Sequence, residues 1–304
     1  MPELPEVETV VRELRPLLMG RRIRSVTSSA KRLRGPASTA WKTHVIGRRI
    51  NSIWRRGKWI VFDLTSSEHL VFHLGMTGRL TVVRKETPVE SHTHWRFALA
   101  NGRQELRFRD VRRFGSVTYL KSPQALDRFF EERRLGPEPF SVPLAYWHQR
   151  LLSTKRCLKA VLLDQTVVAG VGNIYADESL FIARISPTRT GRQLTLEEAE
   201  RLRRAIVEVL RRAITRRGAT IRDYVGGSGR EGEYQREFRV YGQTGAPCPR
   251  CGRRIECIRL AGRSTHFCRR CQPTRPQRKG QRLIGTEHEG SQQDQCRIEH
   301  SNAC

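Results

Sequence analysis

The sequence predicts an α+β fold in which a helix, a set of short strands, a group of helices and a metal-binding ribbon follow one another. Three observations predict it. Apolar residues recur every three or four positions after Pro5, short β-type runs separated by turns fill residues 22 to 120, and four cysteines in two close pairs lie between residues 248 and 271. At 304 residues the chain is long enough to form two hydrophobic cores.

The predicted first helix begins at Pro5, which suits a first helical position because its missing N–H would have no partner there. If Met1 is removed, Pro2 presents a secondary amine. The pKa of an α-amine is ~8, and the helix dipole lowers it further. A partly neutral amine is the nucleophile that Schiff-base chemistry requires. Glu3 and Glu6 are candidate proton carriers beside it, and the alternative is that they are ordinary helix-capping acids. The apolar face of this helix consists of Val7, Val10, Val11, Leu14, Leu17 and Leu18.

The β-type region is predicted to be a sandwich or a barrel, because it contains many short strands joined by tight turns. Asn101-Gly102 between two of the strands indicates a hairpin. The predicted strands are Arg22–Thr27, Val45–Trp54, Trp59–Leu64, Leu70–Leu74, Leu80–Arg84, Trp95–Ala100, Glu105–Arg109 and Ser116–Leu120.

From about residue 123 the pattern becomes helical. The clearest helix has a capping box, Thr195 with Glu198, at its start and Gly218 at its end. The predicted helices are Leu158–Gln165, Asn173–Ala183 and Leu196–Arg217. Residues 219–235 contain a glycine-rich stretch and are predicted to be a mobile loop.

Four cysteines with a CxxC spacing in each pair predict a zinc ribbon. Two tight turns supply two thiolates each and close a tetrahedral site with no open position, so the one expected Zn²⁺ is structural. The ligands are Cys248, Cys251, Cys268 and Cys271. Residues 273–304 are polar and without periodicity, which predicts a disordered tail.

The charge balance indicates a polyanionic partner. The formal net charge is +27, and nucleic acid is the commonest partner of such a chain. We expect no membrane span, because no run of 18 apolar residues occurs. The N-terminus is acidic and lacks the apolar segment of a signal peptide. A cytoplasmic protein is therefore expected, in a reducing compartment where paired cysteines favour metal over disulfides.

Several other residues are candidates for chemistry or DNA contact. Lys58 stands at the entrance to a strand, and a lysine, unlike an arginine, gives up its proton when its surroundings lower its pKa; an ordinary surface base is the alternative. Met76 and Phe114 each lie among glycines and polar residues at strand ends. Apolar side chains of this kind enter base stacks, although Met76 also suits a core. Asn173, at a helix start, marks a candidate phosphate site or a plain cap.

Six segments resemble, in order, motifs of the formamidopyrimidine-DNA glycosylase family, over residues 1 to about 272. The resemblance implies an N-terminal catalytic β-sandwich domain at 1–122, a helix–two-turn–helix DNA-binding domain at 123–235 and a zinc finger at 236–272. It also implies a monomeric base-excision repair enzyme, a DNA glycosylase and abasic-site lyase, acting on oxidised purines such as 8-oxoguanine and formamidopyrimidines in damaged double-stranded DNA. The segments are Met1–Thr9, Gly57-Lys58, His73–Gly78, Arg112–Gly115, Gly170–Ala176 and Gly262–Cys268.

By matching position, the resemblance implies four catalytic residues. Pro2 would attack the sugar C1′ and form a Schiff base, and Glu3 would act as general acid/base. Lys58 would assist β-elimination, and Arg263 would assist δ-elimination and bind phosphate.

The resemblance also implies DNA contacts. Met76, Arg112 and Phe114 would fill the gap left by the extruded base, with Arg112 facing the orphaned cytosine. Residues 219–235 would close over the damaged base. The other implied contacts are Glu6 at the sugar and His92, Lys155 and Asn173 at the backbone.

Two alternatives compete with this interpretation. An endonuclease VIII-like enzyme of the same superfamily prefers oxidised pyrimidines, but Leu4 and the Arg112–Gly115 motif favour the purine-directed branch. A non-catalytic DNA-binding protein would explain the charge and the cysteines, yet it leaves the presence of all four catalytic residues unexplained.

Overall fold

A computed structural model describes residues 2–29, 33, 40–100, 102–221 and 224–274. The chain forms two compact units. Residues up to Glu138, together with Leu210–Glu237, form the first unit; Pro139–Val209 and the described residues from Phe238 onward form the second. Within the described ranges, no helix combines the length and hydrophobicity needed to cross a bilayer. The expectations for Met1, Asn101 and the tail beyond residue 274 lie outside those ranges.

The predicted first helix is confirmed and runs over Leu4–Leu18 (α1), with Pro5 as its second residue. Glu3 is the N-cap, and its backbone N–H donates to Glu6 Oε2 at 2.8 Å. The predicted apolar face is buried except for Leu17, which is partly buried against the same core. The 3.6-residue periodicity therefore identified both the helix and its buried face.

Eight strands form two antiparallel four-stranded sheets, as expected for a sandwich. The sheet orders are β1-β6-β7-β5 and β2-β3-β4-β8. The ring centroid of Phe72, in the second sheet, lies 5.9 Å from that of Phe97 and 6.2 Å from that of Phe108, both in the first sheet. The two sheets and α1 share this core. The strands are β1 (Ile23–Ser28), β2 (Ile50–Arg56), β3 (Trp59–Leu64), β4 (His69–His73), β5 (Gly78–Arg84), β6 (Thr93–Leu99), β7 (Gln104–Asp110) and β8 (Ser116–Leu120).

One strand prediction is wrong in its first half. The chain forms a short helix, α2, over Lys42–Val45, where the start of strand Val45–Trp54 was expected. Gly47, at φ +82°, then reverses the chain before β2 begins at Ile50. A backbone conformation with positive φ is the reason that a continuous strand cannot pass through this point.

Among the described residues, five further α-helices follow the sandwich strands. The predicted capping box is confirmed, because the Thr195 N–H donates to Glu198 Oε2 at 3.0 Å and the Glu198 N–H donates to Thr195 Oγ1 at 3.1 Å. Gly218, at φ +77°, follows the last helix as predicted. The helices are α3 (Pro123–Glu132), α4 (Leu144–Leu152), α5 (Leu158–Leu163), α6 (Asn173–Ile182) and α7 (Leu196–Thr215).

Candidate active site

The N-terminal segment before α1 is buried. Pro2 is buried, and Glu3 and Glu6 are only 2% and 1% exposed. Glu6 accepts the Glu3 N–H through one carboxylate oxygen and the Ala219 N–H, at 2.8 Å, through the other. Because the positive end of α1 points at this segment, an amine on Pro2 would be shifted towards its neutral form.

The glycine-rich stretch of residues 226–229 lies along α1. Ser228 donates through its backbone N–H and its hydroxyl to Glu13 Oε2, at 2.9 and 2.7 Å. A Cβ on Gly226 would lie 2.3 Å from Glu13 Oε2, and one on Gly227 would lie 2.8 Å from Leu14 Cγ. Close approach to α1 is therefore a specific reason for these glycines, in addition to the loop conformation that the sequence predicts.

Tyr224, which precedes the glycine-rich stretch, is anchored in the sandwich core. Its hydroxyl donates to the carbonyl oxygens of Glu6 and Arg217, both at 3.2 Å. Burial, reinforced by the negative charge of Glu6, raises the pKa of Tyr224 well above its ordinary value. The phenol therefore stays protonated and remains a hydrogen-bond donor at neutral pH.

A carboxylate distant in sequence holds the turn that carries Lys58. Lys58 is 7% exposed and follows Gly57, whose N–H donates to Glu138 Oε1 at 2.6 Å. Arg55 donates to both oxygens of Glu138, at 3.0 and 2.8 Å, and to Glu8 Oε2 on α1, at 3.1 Å. Burial favours the protonated acid, yet hydrogen bonds from Arg12 and Arg55 hold the pKa of Glu8 below its ordinary value. The Lys58 turn is thus tied to the helix that follows Pro2.

Replacing Glu138 by glutamine should destabilise the first unit. The amide carries no charge to pair with Arg55, which is only 8% exposed, and it replaces one acceptor oxygen by a donor. We expect the free energy of unfolding to fall by about 2 kcal/mol, measured by urea unfolding at pH 7. Glu132→Gln, at an exposed position on α3, is the control. Equal stabilities of the two variants would contradict this account of the turn.

The side chains predicted to enter the base stack lie on two loops of the first unit, the Met76 loop (residues 74–77) and the Phe114 loop (residues 111–115). Met76 is half-buried, whereas Arg112 is exposed and Phe114 is 44% exposed. The Arg112 guanidinium lies 4.8 Å from the Phe114 ring centroid, a cation–π contact. His92 is also exposed, at φ +67°, and its carbonyl accepts the Asp110 N–H at 3.0 Å. His92 therefore adjoins the base of the Phe114 loop.

The four predicted metal ligands converge in the second unit. All four sulfur atoms lie within 4.8 Å of one another, and two pairs are 3.5 and 3.9 Å apart. A tetrahedral Zn²⁺ with Zn–S bonds of about 2.3 Å requires sulfurs about 3.8 Å apart. The Arg250 N–H donates to Cys248 Sγ at 3.4 Å, as is suitable for a thiolate. The donor set and the spacing therefore fit zinc.

Arg263 lies on a hairpin of the ribbon. The strands β9 (Glu256–Leu260) and β10 (Arg263–Phe267) are joined by Ala261 and Gly262, both at positive φ. This tight turn leaves Arg263 exposed at the start of β10. The Asn173 side-chain amide donates to the Ser264 carbonyl at 3.1 Å, so Asn173 contacts the strand that carries Arg263.

Sequence reasoning missed the buried polar network that joins α6 to the ribbon. Asp177 accepts from Lys159 Nζ at 2.5 Å and from the His266 N–H at 2.9 Å, and both members of the Lys159–Asp177 pair are fully buried. Glu178 accepts the N–H groups of Arg239, Val240 and Tyr241, at 2.9 to 3.1 Å. The two adjacent acids at 177 and 178 in the predicted helix could have indicated this network, because acids that become buried need hydrogen-bond partners.

The predicted site residues divide between the two units. The catalytic candidates of the first unit are Pro2, Glu3 and Lys58, and its DNA-contact candidates are Glu6, Met76, His92, Arg112 and Phe114. The second unit contains Asn173, Arg263 and the four cysteines, together with Lys155, which is exposed between α4 and α5.

Three domain families match successive parts of the chain. Residues 1–117 match the formamidopyrimidine-DNA glycosylase N-terminal domain, and residues 135–225 match the formamidopyrimidine-DNA glycosylase H2TH domain. Residues 245–274 match the zinc finger found in FPG and IleRS.

The similarity to known proteins extends over almost the whole length of those proteins. A formamidopyrimidine-DNA glycosylase of Desulforamulus reducens is 43% identical over 276 residues, which is 90% of this chain and 99% of that protein. The structure of a Lactococcus lactis FPG mutant with DNA containing Fapy-dG has a TM-score of 0.84 at 36% identity, covering 90% of this chain and 100% of that one. A structure of MutM with DNA containing carbocyclic 8-oxo-G has a TM-score of 0.83, with the same identity and coverage. The chain therefore belongs to the formamidopyrimidine-DNA glycosylase family, whose members are DNA glycosylases with abasic-site lyase activity.

Proposed function

We propose that this chain removes oxidised purines, 8-oxoguanine and formamidopyrimidines, from double-stranded DNA and then cleaves the resulting abasic site. The observation that carries the proposal is the buried segment of Pro2 and Glu3 at the positive end of α1, held there by Glu6. Once Met1 is removed, this segment supplies a nucleophilic amine on Pro2 and the carboxyl group of the adjacent Glu3, as a glycosylase that acts through a Schiff base requires. The structures solved with Fapy-dG and 8-oxo-G support the choice of purines.

The proposed reaction begins at the sugar. The Pro2 nitrogen forms a bond to C1′ while the glycosidic bond breaks. The electron pair of the glycosidic bond leaves with the base, which takes up a proton. The Pro2 nitrogen then loses its proton, and the C1′–O4′ bond of the sugar ring breaks while Glu3 delivers a proton to O4′. The product is an iminium between Pro2 and C1′. Loss of a proton from C2′ then expels the 3′-phosphate, and Lys58 assists this β-elimination. Loss of a proton from C4′ then expels the 5′-phosphate in a second elimination, which Arg263 assists. Water hydrolyses the remaining iminium, which frees Pro2 and releases the sugar fragment.

The remaining candidates bind the duplex. Arg112, Phe114 and Met76 enter the base stack when the damaged base is extruded. The exposure of Arg112 and Phe114 and the partial exposure of Met76 support this role. His92, Lys155 and the α6 N-terminus at Asn173 bind phosphates, and Glu6 helps to place the sugar. One structural Zn²⁺, held by the four cysteines, fixes the ribbon that carries Arg263. The enzyme acts as a cytoplasmic monomer.

Borohydride trapping tests the proposal. The full chain, confirmed by mass spectrometry to begin at Pro2, is mixed with a duplex that contains one 8-oxoguanine opposite cytosine, and borohydride is added. We expect a reduced cross-link that maps to Pro2. A duplex with an oxidised pyrimidine, run in parallel, should trap less protein, and the opposite order would favour the endonuclease VIII-like alternative. Absence of a cross-link on both duplexes and on an abasic duplex would leave a DNA-binding protein only.

Lys58→Arg tests the need for a titratable amine. Arginine keeps the positive charge but cannot give up its proton near neutral pH. We therefore expect strand cleavage of a preformed abasic site to slow by about 10²-fold, measured in single-turnover assays. Lys85→Arg, at an exposed position, is the matched control. Unchanged excision and cleavage by the Lys58 variant would refute the role of this lysine in proton transfer.

A further inference from the structure

Asp110 is a buried carboxylate that the proposed reaction does not use. It ends β7, opposite Gly78 at the start of β5, and it is 0% exposed. Its position lies between two loops, the Met76 loop (residues 74–77, after β4) and the Phe114 loop (residues 111–115, before β8).

The Asp110 carboxylate accepts hydrogen bonds from both loops. Thr77 Oγ1, in the Met76 loop, donates to Oδ1 at 2.5 Å. In the Phe114 loop, the Arg112 N–H donates to Oδ1 at 3.2 Å and the Gly115 N–H donates to Oδ2 at 2.7 Å. The Arg112 N–H is shared with Thr77 Oγ1, at 3.0 Å. A buried carboxyl group that accepts hydrogen bonds from two segments fixes the segments relative to each other.

The two loops also touch through their backbones. A Cβ added to Gly75, which is at φ +60°, would lie 2.5 Å from the Gly115 nitrogen and 2.6 Å from the Phe114 carbonyl carbon. Any side chain at residue 75 would therefore separate the loops. His94 Nε2 lies 3.0 Å from the Asp110 carbonyl oxygen and supports the junction from β6.

We propose that Asp110 is a positioning residue that makes the Met76 and Phe114 loops enter DNA as one wedge. Arg112 and Phe114 are exposed and Met76 is half-buried, whereas Thr77, Asp110 and Gly115, which join the loops, are buried. A displacement of Met76 is then transmitted to Arg112 and Phe114. The inference rests on the proposed function, because it assumes that these side chains enter a duplex.

A double-mutant cycle in three backgrounds tests the proposal. Met76→Ala and Phe114→Ala are made singly and together in the wild-type chain, in Thr77→Ser, which keeps the hydroxyl, and in Thr77→Val, which removes it. The readout is the equilibrium dissociation constant for a duplex with a tetrahydrofuran abasic analogue opposite cytosine. This duplex undergoes no excision, so the cycle does not depend on the Schiff-base chemistry, which the trapping experiment tests.

In the wild type and in Thr77→Ser, we expect the effect of the double truncation on the dissociation constant to differ by about fivefold or more from the product of the two single effects. In Thr77→Val, we expect it to match that product within about twofold. Equal coupling in Thr77→Val and Thr77→Ser would overturn the proposal. If Thr77→Val does not fold, the wild-type cycle decides, since additive truncations there contradict a single wedge and coupled truncations support it.

Discussion

Replacing Glu3 by glutamine is expected to slow base excision by about 10²- to 10⁴-fold, the usual contribution of general acid/base catalysis. The Glu3 side chain is 2% exposed, and the backbone N–H of Glu3 donates a hydrogen bond to Glu6. Glutamine keeps the size and the helix-capping position, but its amide cannot deliver or accept the proton. The loss should therefore appear in the rate of chemistry and not in DNA affinity.

Single-turnover excision of 8-oxoguanine opposite cytosine measures this effect, and binding to a duplex with a non-cleavable abasic analogue provides the affinity. Glu86→Gln, which neutralises an exposed carboxylate, controls for the change in net charge. An excision rate within threefold of the control would remove Glu3 from the proton transfers. A matching fall in DNA affinity would instead assign it a structural role.

The elements that were predicted well are those whose signals are local in sequence. The α1 periodicity, the Thr195–Glu198 capping box and the paired cysteines each depend on residues a few positions apart, and the structure has all three. The spacing of neighbouring residues in the sequence directly indicates helix faces, helix caps and the CxxC turns that bind a metal. The prediction that a strand starts at Val45 was wrong. The turn there depends on the backbone conformation of the single residue Gly47, which the apolar pattern does not report.

The groups that position the candidate site were not predictable, because their partners are distant in sequence. Glu138 contacts the Gly57 N–H across 81 residues, and Asp110 contacts Thr77 across 33. Such contacts depend on strand order and register, which a single sequence does not specify. Met76 and Phe114 were singled out by their place among glycines and polar residues at strand ends. The local sequence still left Met76 equally suited to a core, because an exposed side chain looks the same in sequence as a buried one.

Replacing Cys248 by serine is expected to remove zinc and most of the DNA affinity together. A serine hydroxyl is a poor zinc ligand, and the free energy of binding a structural zinc, about 10–16 kcal/mol in isolated fingers, is also folding free energy. The sulfur of Cys248 belongs to a small core with Phe181 of α6, Val240 and Ile255, so its loss disturbs apolar packing as well. The hairpin that carries Arg263 then loses its support.

Zinc content by elemental analysis should fall from one atom per chain to almost none, and affinity for a lesion duplex should fall by on the order of 10²-fold. Cys157→Ser, at a buried cysteine outside the ribbon, should keep both. The sandwich core contains no ribbon residue among those that the structure describes, so the amides of β3 and β4 should stay protected from hydrogen exchange in the Cys248 variant. A Cys248 variant that binds DNA normally without zinc would show that the ribbon folds without metal. Because the His266–Asp177 and Ser264–Asn173 contacts join the ribbon to α6, such a result would assign its stability to these polar contacts.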